Sequence, residues 1–258
     1  MSRSLFRYYG GKWRMAPWIV GHFPEHREYC EAFAAAASCL FNKARSYSEC
    51  INDLNGDVIN LYRVLQNDAK STRLRKLLML TPYSRDEYDL AHEVSEEPVE
   101  RARRLIIRSL MGYNATSVCL NNSKSGFRND INRRFTVPAH DWANYPADLG
   151  FFIERLRGVT VEHMDAFKLI ERMAKSKDTL LYLDPPYPME LRGATNQWQY
   201  AHEMSNADHA RMAELLLTVR GMAVLSGYKT ELYAPPDGAG WKRFFRSIIQ
   251  EKERSVCG

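Results

Sequence analysis

The feature that most constrains this chain is an apolar run that ends abruptly in a carboxylate, two prolines and a tyrosine, at residues 180–187 (LLYLDPPY). Such a run predicts a buried β-strand that carries polar groups to the edge of a sheet. The prolines fix φ and have no N–H, so the turn stays extended with its carbonyls outward. Asp184 and the Pro185 carbonyl then form adjacent acceptors for a flat group with an exocyclic NH2, on which Tyr187 can stack. A plain strand-ending turn is the alternative.

Length and composition restrict the class of protein. A chain of 258 residues accommodates one large α/β domain, with or without an inserted subdomain. No apolar run approaches the length of a membrane span, so we expect a soluble, cytoplasmic protein without a signal peptide. The cysteines are odd in number and lack metal-ligand spacing, which predicts reduced thiols. A net charge of +5 permits a polyanionic partner without requiring one.

Other segments also have the pattern of a strand followed by a polar group. Residues 28–41 have the pattern of a short strand that runs into a helix, and residues 48–55 contain a second strand that ends in an acidic residue. Further strands are predicted at residues 158–163 and 222–228. Asp53 follows the second strand and is placed to accept the hydroxyls of a ribose, although capping of the next helix is the alternative. Near the amino terminus, Gly10 and Gly11 let the backbone approach a ligand, and Lys12 can meet a carboxylate or phosphate. A glycine turn beside a solvated lysine is the alternative there.

The middle third, from about residue 70 to 146, has helical periodicity and basic clusters. A helix is predicted over Val99–Met111, with Arg101, Arg104 and Arg108 recurring on one face. Such a face is often only solvated. The residues that follow, 112–135, interleave basic side chains with Asn, Ser and aromatic residues, a pattern suited to phosphate contacts and base-edge readout. We therefore predict that this third binds a nucleic acid.

The full Asp-Pro-Pro-Tyr sequence after an apolar strand resembles the catalytic motif of the DNA amino-methyltransferases. Residues 8–12 resemble the aromatic-x-Gly-Gly-Lys element of Dam-type adenine methyltransferases, and the motif order resembles the alpha group, with cofactor motifs first and catalysis last. The resemblance implies an α/β, Rossmann-like, S-adenosylmethionine-dependent DNA adenine-N6 methyltransferase. It assigns residues 1–69 and 147–258 to the catalytic and cofactor domain, and 70–146 to an inserted, mostly helical target-recognition subdomain.

The resemblance also implies functional residues, with double-stranded DNA as the partner and no metal. Catalysis falls to Asp184, Pro185, Pro186 and Tyr187. Contacts to S-adenosylmethionine fall to Tyr8, Gly10, Gly11, Lys12, Glu31, Phe33, Ser38, Asp53, Asp165, Phe167 and Asp184. For Asp165, helix capping is the alternative. Pattern and resemblance together assign DNA contacts to Arg101, Arg104, Arg108, Tyr113, Asn114, Lys124, Arg128, Arg133 and Arg134.

The chain departs from the family pattern at the cofactor turn. The family has Glu-Pro-Phe-x-Gly-x-Gly-Ser, whereas Ala35 and Ala37 stand here in place of the two glycines. If those positions need positive φ, each alanine costs roughly 1–2 kcal/mol. Alanine runs also favour helix, so the alternative is that the turn is absorbed into the following helix. The Gly-Leu-x-Arg-x-Asn portion of the recognition segment is absent as well, so no target sequence carries over.

Two other functions stay open at this point. The alanine run and the absence of the family's closing Thr-Glu-Val-Leu-Trp segment favour a relative that holds DNA but transfers methyl groups poorly or not at all. A second alternative keeps the chemistry but acts on cytosine N4 or on RNA. The Asp at the head of the motif favours adenine, because the resemblance places a Ser there in cytosine enzymes.

Overall fold

A parallel sheet carries the residues that the sequence singled out. The computed structural model describes residues 3–114, 116–119, 124–130, 136–192, 200–233 and 239–246. Its strands are β1 (Glu28–Glu31), β2 (Ser48–Asn52), β3 (Val159–Glu162), β4 (Thr179–Leu183) and β5 (Met222–Leu225). Its helices are α1 (Ala16–Val20), α2 (Ser38–Asn42), α3 (Gly56–Leu65), α4 (Asp68–Leu80), α5 (Arg85–Leu90), α6 (Pro98–Met111), α7 (Thr116–Cys119), α8 (Pro138–Leu156), α9 (Ala166–Met173) and α10 (Asn206–Leu217), with 3-10 turns at Met189–Leu191 and Glu231–Tyr233.

The strand order is β3-β2-β1-β4-β5, and every pairing in it is parallel. The chain moves outward from β1 to β3 and then returns to the other side of β1 with β4. The order therefore reverses between β1 and β4, and α/β folds bind ligands outside the carboxyl ends of the strands at such a point. This arrangement confirms the predicted α/β, Rossmann-like fold.

Helices cover both faces of the sheet. Every residue of β4 is buried, as its continuous apolar run predicts for a central parallel strand. Alternate residues of β4 point to opposite faces: Leu180 and Tyr182 pack in the core with α3, α6 and α8, whereas Leu181 and Leu183 pack with α9 and α10. Two separate cores thus fix β4 from both sides, and Asp184 follows directly at its end.

The middle third is helical where it is described, as predicted. Helices α4, α6 and α8 pack with α3 around one shared core, and α4 and α8 run through the predicted domain boundaries at residues 69/70 and 146/147. An isolated antiparallel bridge joins Gly112 to Phe127. The division into two domains stays a prediction about function, because the described helices are continuous across both boundaries.

Two features are missing from the residues that the structure describes. None of the described helices has the length and apolar character needed to cross a membrane. Nor do the described side chains include a cluster of three or more His, Cys, Asp or Glu arranged to hold a metal ion.

Candidate active site

A cavity lies at the carboxyl ends of β1, β2 and β4. It is lined by every residue that the sequence predicted for catalysis or for the cofactor, although these come from five separate segments of the chain. The set comprises Tyr8, Gly10, Gly11, Lys12, Glu31, Phe33, Ser38, Asp53, Asp165, Phe167, Asp184, Pro185, Pro186 and Tyr187. The fold brings the whole set together, while the role of each residue stays a prediction.

Asp184 is held by the lysine of the amino-terminal loop. Lys12 Nζ lies 2.8 Å from Asp184 Oδ1, and the Tyr187 hydroxyl donates to the same oxygen at 3.2 Å. The ammonium group also lies 4.8 Å from the centroid of the Tyr187 ring. Both contacts to the carboxylate use Oδ1. Lys12, which the resemblance assigns to the cofactor, is therefore in direct contact with the catalytic motif.

The two glycines before Lys12 are required by close approaches. Gly10 has φ of +71°, and a Cβ on it would lie 2.7 Å from the Tyr200 hydroxyl oxygen. A Cβ on Gly11 would lie 2.9 Å from the Tyr8 carbonyl oxygen, which is main chain and cannot move aside easily. The loop is tightened by a hydrogen bond from Gly11 N to that carbonyl, at 3.0 Å. Both glycines are exposed, but the Lys12 side chain is only 12% exposed and is paired with Asp184, so the alternative of a solvated lysine beside the turn is wrong.

The alanine turn keeps the conformation that glycines adopt. Ala35 and Ala37 have φ of 45° and 47°, and α2 begins only at Ser38. The alternative in which the helix absorbs the turn is therefore wrong. Asp53 Oδ2 accepts from Ala35 N at 2.7 Å, and Tyr62 donates to the Ala35 carbonyl at 2.5 Å. These contacts hold the left-handed backbone in spite of its strain.

Asp53 does not cap the helix that follows it. Asn55 is the N-cap of α3, and its side chain accepts from Asp57 N and Val58 N. Asp53 instead accepts from Ala35 N and, at 2.8 Å, from Asn55 N, and burial raises its pKa. A carboxylate has about four acceptor positions, so each Asp53 oxygen can take one further donor.

Glu31 is a buried carboxyl at the end of β1. It is only 1% exposed, and its Oε1 accepts from the Tyr29 hydroxyl at 2.7 Å and from Leu40 N. Burial raises the pKa of Glu31 to about 7, even though both hydrogen bonds lower it; the nearby charge of Asp184 adds to the increase. Glu31 therefore changes protonation near neutral pH.

The remaining predicted cofactor residues also lie at element ends. Asp165 is the N-cap of α9 and accepts from Lys168 N at 3.1 Å, so the capping alternative for this residue is confirmed. Capping and a ligand contact are compatible, because Asp165 and Phe167 both line the cavity. Ser38 opens α2, directly after the alanine turn, and Phe33 precedes that turn.

The arginines of α6 make ion pairs within the fold. Arg101 and Arg108 both pair with Asp57 of α3, at 2.5 and 2.9 Å, and Arg104 pairs with Glu100 at 2.8 Å. Arg108 also donates to the Ala91 carbonyl. These contacts attach α6 to its neighbours, and contact of the same side chains with DNA stays a prediction.

The other predicted DNA contacts lie on two adjacent segments. Tyr113 N donates to the Gly126 carbonyl at 2.9 Å, which places residues 112–114 beside residues 124–128. Tyr113 is 72% exposed, and Asn114 and Lys124 are exposed as well. Arg128 is half-buried, and its main chain bonds to Met111 and Tyr83. The predicted Arg133 and Arg134 lie outside the described residues.

Several side chains around Asp184 were not predicted. Tyr200 lines the cavity, its ring lies near those of Tyr8 and Tyr9, and Tyr228 makes an edge-to-face contact with Tyr187 at 5.1 Å. None of these belongs to a motif, so only their aromatic character in the carboxyl-terminal third could have drawn attention to them.

Comparison with known proteins identifies the family. Residues 8–254 match the family model described as D12 class N6 adenine-specific DNA methyltransferase. The chain belongs to this family. It is therefore an enzyme that methylates N6 of adenine in DNA, as the sequence resemblance implied, and it uses a methyl donor. The open alternatives of cytosine N4 and RNA are not supported.

Two curated relatives match over most of their length, and a third over a small part of its own. A DNA adenine methylase of Haemophilus influenzae is 26% identical, across 98% of this chain and 90% of that protein. A DNA adenine methylase of Vibrio cholerae is also 26% identical, across 87% of this chain and 80% of that protein. A DNA N-6-adenine-methyltransferase of Escherichia phage P1 is 35% identical, but across only 27% of this chain and 9% of its own length.

The strained turn leads to a stability prediction. An L-residue in the left-handed region costs about 1–2 kcal/mol, and glycine loses about 0.5–1 kcal/mol in chain entropy. Ala35→Gly and Ala37→Gly should therefore each raise the free energy of unfolding by about 0.5–1 kcal/mol, measured by urea denaturation. Ala36→Gly is the matched control, because Ala36 is in the same turn without positive φ, and it should destabilise. Equal effects of all three would contradict the argument.

The buried carboxyl leads to a pH prediction. The folded pKa of Glu31, about 7, is above the usual 4.5, so the folded state binds the proton more tightly. Glu31 therefore lowers stability progressively as pH rises from about 4.5 to 7, by about 3 kcal/mol in total. Glu31→Gln should remove this pH dependence. The free energy of unfolding of the variant minus that of the parent should therefore rise between pH 4.5 and pH 7. Glu28→Gln is the control. Hydrogen bonding by Thr179 lowers the pKa of Glu28, so its ionised form stabilises the fold and the same difference should fall as pH rises. A flat difference curve for Glu31→Gln would refute the assignment.

The ion pairs of α6 lead to a DNA-binding prediction. Lys124 pairs with Asp89, but both side chains are about half exposed, so this pair is weak. Replacing Lys124 and Arg128 by Gln should reduce the log–log slope of DNA affinity against salt by about 2, because each phosphate contact contributes about 0.9. If Arg101 and Arg108 keep their pairs with Asp57 on DNA, replacing both by Gln should leave that slope unchanged and lower stability, since Asp57 loses both partners. Filter binding over a salt series and urea denaturation separate the two pairs. The reverse pattern would place the α6 arginines on the phosphates.

Proposed function

We propose that this chain transfers a methyl group from S-adenosylmethionine to N6 of an adenine in double-stranded DNA by direct displacement. The single observation that carries the proposal is the position of Asp184. Its carboxylate lies at the end of a fully buried strand, beside the reversal of strand order, in one cavity with the predicted cofactor segments. A cytoplasmic location is part of this proposal, because the substrate is DNA.

The residues present fit S-adenosylmethionine. The turn at residues 34–37 keeps the left-handed backbone of a glycine turn, so its main chain can curve around a ligand. Asp53 would accept the ribose hydroxyls, and Tyr8, Phe33 and Phe167 supply flat or apolar surface. Glu31, Asp53 and Asp184 provide negative charge near a cationic ligand. When bound, S-adenosylmethionine would supply an electrophilic methyl group attached to a positively charged sulfur.

Asp184 and Pro185 prepare the amino group of the substrate. The amino nitrogen of adenine is a poor nucleophile because its lone pair is delocalised into the ring. Lys12 and Tyr187 bind Asp184 Oδ1, so Asp184 Oδ2 and the Pro185 carbonyl would accept its two hydrogens. This draws the nitrogen toward tetrahedral geometry and aims the lone pair at the methyl group. The Asp184 carboxylate would then receive the proton that N6 loses as the new N–C bond forms, while the bond between the methyl carbon and sulfur breaks and its electron pair neutralises the sulfur.

Tyr187 and the exposed middle segment act on the DNA. N6 of adenine lies within the duplex, so the base must be rotated out of the stack to reach Asp184. The Tyr187 ring, beside Asp184, would stack on the extruded base. Tyr113, Asn114, Lys124 and Arg128 are the described residues that we assign to the duplex, since they lie together on adjacent segments.

One of the two reasons for the alternative function, a relative that holds DNA but transfers methyl groups poorly or not at all, is weakened. That alternative rested partly on the alanine run, yet Ala35 and Ala37 hold the left-handed turn that glycines would adopt. The carboxyl-terminal end that also motivated it, residues 247–258, lies outside the described residues.

The decisive test replaces Asp184. Asp184→Ala should abolish transfer of tritiated methyl groups from S-adenosylmethionine to plasmid DNA, while duplex affinity stays within about three-fold of the parent because phosphate contacts supply most of that affinity. The control is Asp208→Ala: this carboxylate lines the same cavity but is bonded to Ser205 in a capping box, and its loss should leave turnover largely intact. Near-normal turnover by Asp184→Ala would overturn the proposed function.

A further inference from the structure

A buried ion pair follows the catalytic motif. Arg192 donates from Nη1 and Nη2 to the two oxygens of Glu203, each at 2.8 Å. The side chains are only 5% and 7% exposed. Most arginines of the described chain that form ion pairs are more exposed than this, and a buried pair needs close geometry to offset the loss of hydration. The two-pronged contact provides that geometry.

The same guanidinium group also reaches the catalytic turn. Arg192 Nη2 donates to the main-chain carbonyl of Tyr187. Pro185, Pro186 and Pro188 surround Tyr187, and proline has no N–H, so this turn has few donors with which to fix its own backbone. A donor from another segment is therefore needed to set the direction of the Tyr187 carbonyl, and Arg192 is that donor.

Through Glu203, the pair also sets Tyr200. Glu203 Oε1 accepts from Tyr200 N at 3.0 Å, and the Arg192 guanidinium lies 5.2 Å from the centroid of the Tyr200 ring. The Tyr200 hydroxyl donates to the Tyr9 carbonyl at 3.2 Å, which places the ring over the Gly10 loop. One ion pair thus contacts the main chain of both Tyr187 and Tyr200, two of the aromatic residues that line the cavity.

We propose that Arg192 is a positioning residue for methyl transfer, acting with Glu203. It holds the Tyr187 carbonyl, and with it the direction in which Asp184 and Pro185 present their acceptors to the adenine amino group. It also holds Tyr200 at the wall of the cavity. This inference rests on the proposed function, because it concerns the alignment of that reaction. Misplacement of reacting groups by about 1 Å can reduce the rate about 100-fold.

The test must separate positioning from simple charge burial. Arg192→Ala alone leaves the Glu203 carboxylate buried without its partner, which destabilises the fold. The double variant Arg192→Met with Glu203→Gln removes both charges at similar volume. It therefore leaves no buried charge without a partner, and any loss of rate cannot be attributed to an unpaired Glu203. It lacks the donor to Tyr187, however. We expect it to fold and to bind S-adenosylmethionine and duplex within about three-fold of the parent, with kcat lower by roughly 30- to 100-fold.

A conservative variant and a second readout complete the design. Arg192→Lys keeps the charge, but one ammonium cannot reproduce the forked contact to Glu203 and also reach Tyr187. Its kcat should fall about ten-fold, between the parent and the double variant. Fluorescence of a duplex with 2-aminopurine at a mapped target adenine should also change in both variants, because it reports how the extruded base is held. The control is Arg172→Met with Glu162→Gln, an exposed pair between α9 and β3.

The outcomes are distinguishable. If the double variant has kcat within about three-fold of the parent and unaltered 2-aminopurine fluorescence, Arg192 has only a structural role and the inference is overturned. If the double variant does not fold, Arg192→Lys decides by the same criterion. Asp184→Ala is assayed alongside: should it remain active, the proposed function itself fails, whereas an inactive Asp184→Ala with a fully active double variant overturns only the role of Arg192.

Discussion

The pairing of β1 with β4 is the constraint on which the site depends. These strands are distant in sequence, yet Glu31 lies opposite Tyr182 in the register, two residues before Asp184. Because the strands are parallel, their carboxyl ends meet at one edge of the sheet. That places the buried Glu31 and the alanine turn next to the Asp-Pro-Pro-Tyr motif. Lys12 then reaches Asp184 from a third segment, and a register shift between β1 and β4 would separate all of these groups.

The alanine turn illustrates how neighbours override local preference. Four consecutive alanines favour helix, but α2 starts only after them. Asp53 and Tyr62, from β2's end and from α3, each bind a main-chain group of Ala35 and thereby fix the turn. The same Asp53 is the candidate for the ribose hydroxyls. The Asp53 carboxylate therefore holds the shape of the turn at residues 34–37. Under the proposed function it would also bind the ribose, which would couple the position of the ligand to the shape of this turn.

Sequence reasoning was most successful where the signal was local. The run before Asp184 predicted β4, and the motifs predicted residues that share one cavity. Most of these motifs follow a strand whose end the fold brings to that edge, whereas residues 8–12 precede α1 and were predicted from the motif alone. It was least successful where two distant side chains meet. Nothing in the spacing of Arg101 and Arg108 indicates that both pair with Asp57 on another helix. The partnership of Arg192 with Glu203 and the Tyr187 carbonyl is equally invisible, since it depends on how the chain returns after the motif.

The charges of the cavity connect stability with ligand chemistry. Glu31, Asp53 and Asp184 line it, and Lys12 is paired with one of the three. Burial raises the pKa of both Glu31 and Asp53, which means that the fold makes their ionised forms unfavourable. A ligand that carries positive charge favours those same ionised forms. Under the proposed function, binding of the cationic methyl donor and loss of the Glu31 proton are therefore linked, and the carboxyl that weakens the fold above neutral pH is the one that attracts the ligand.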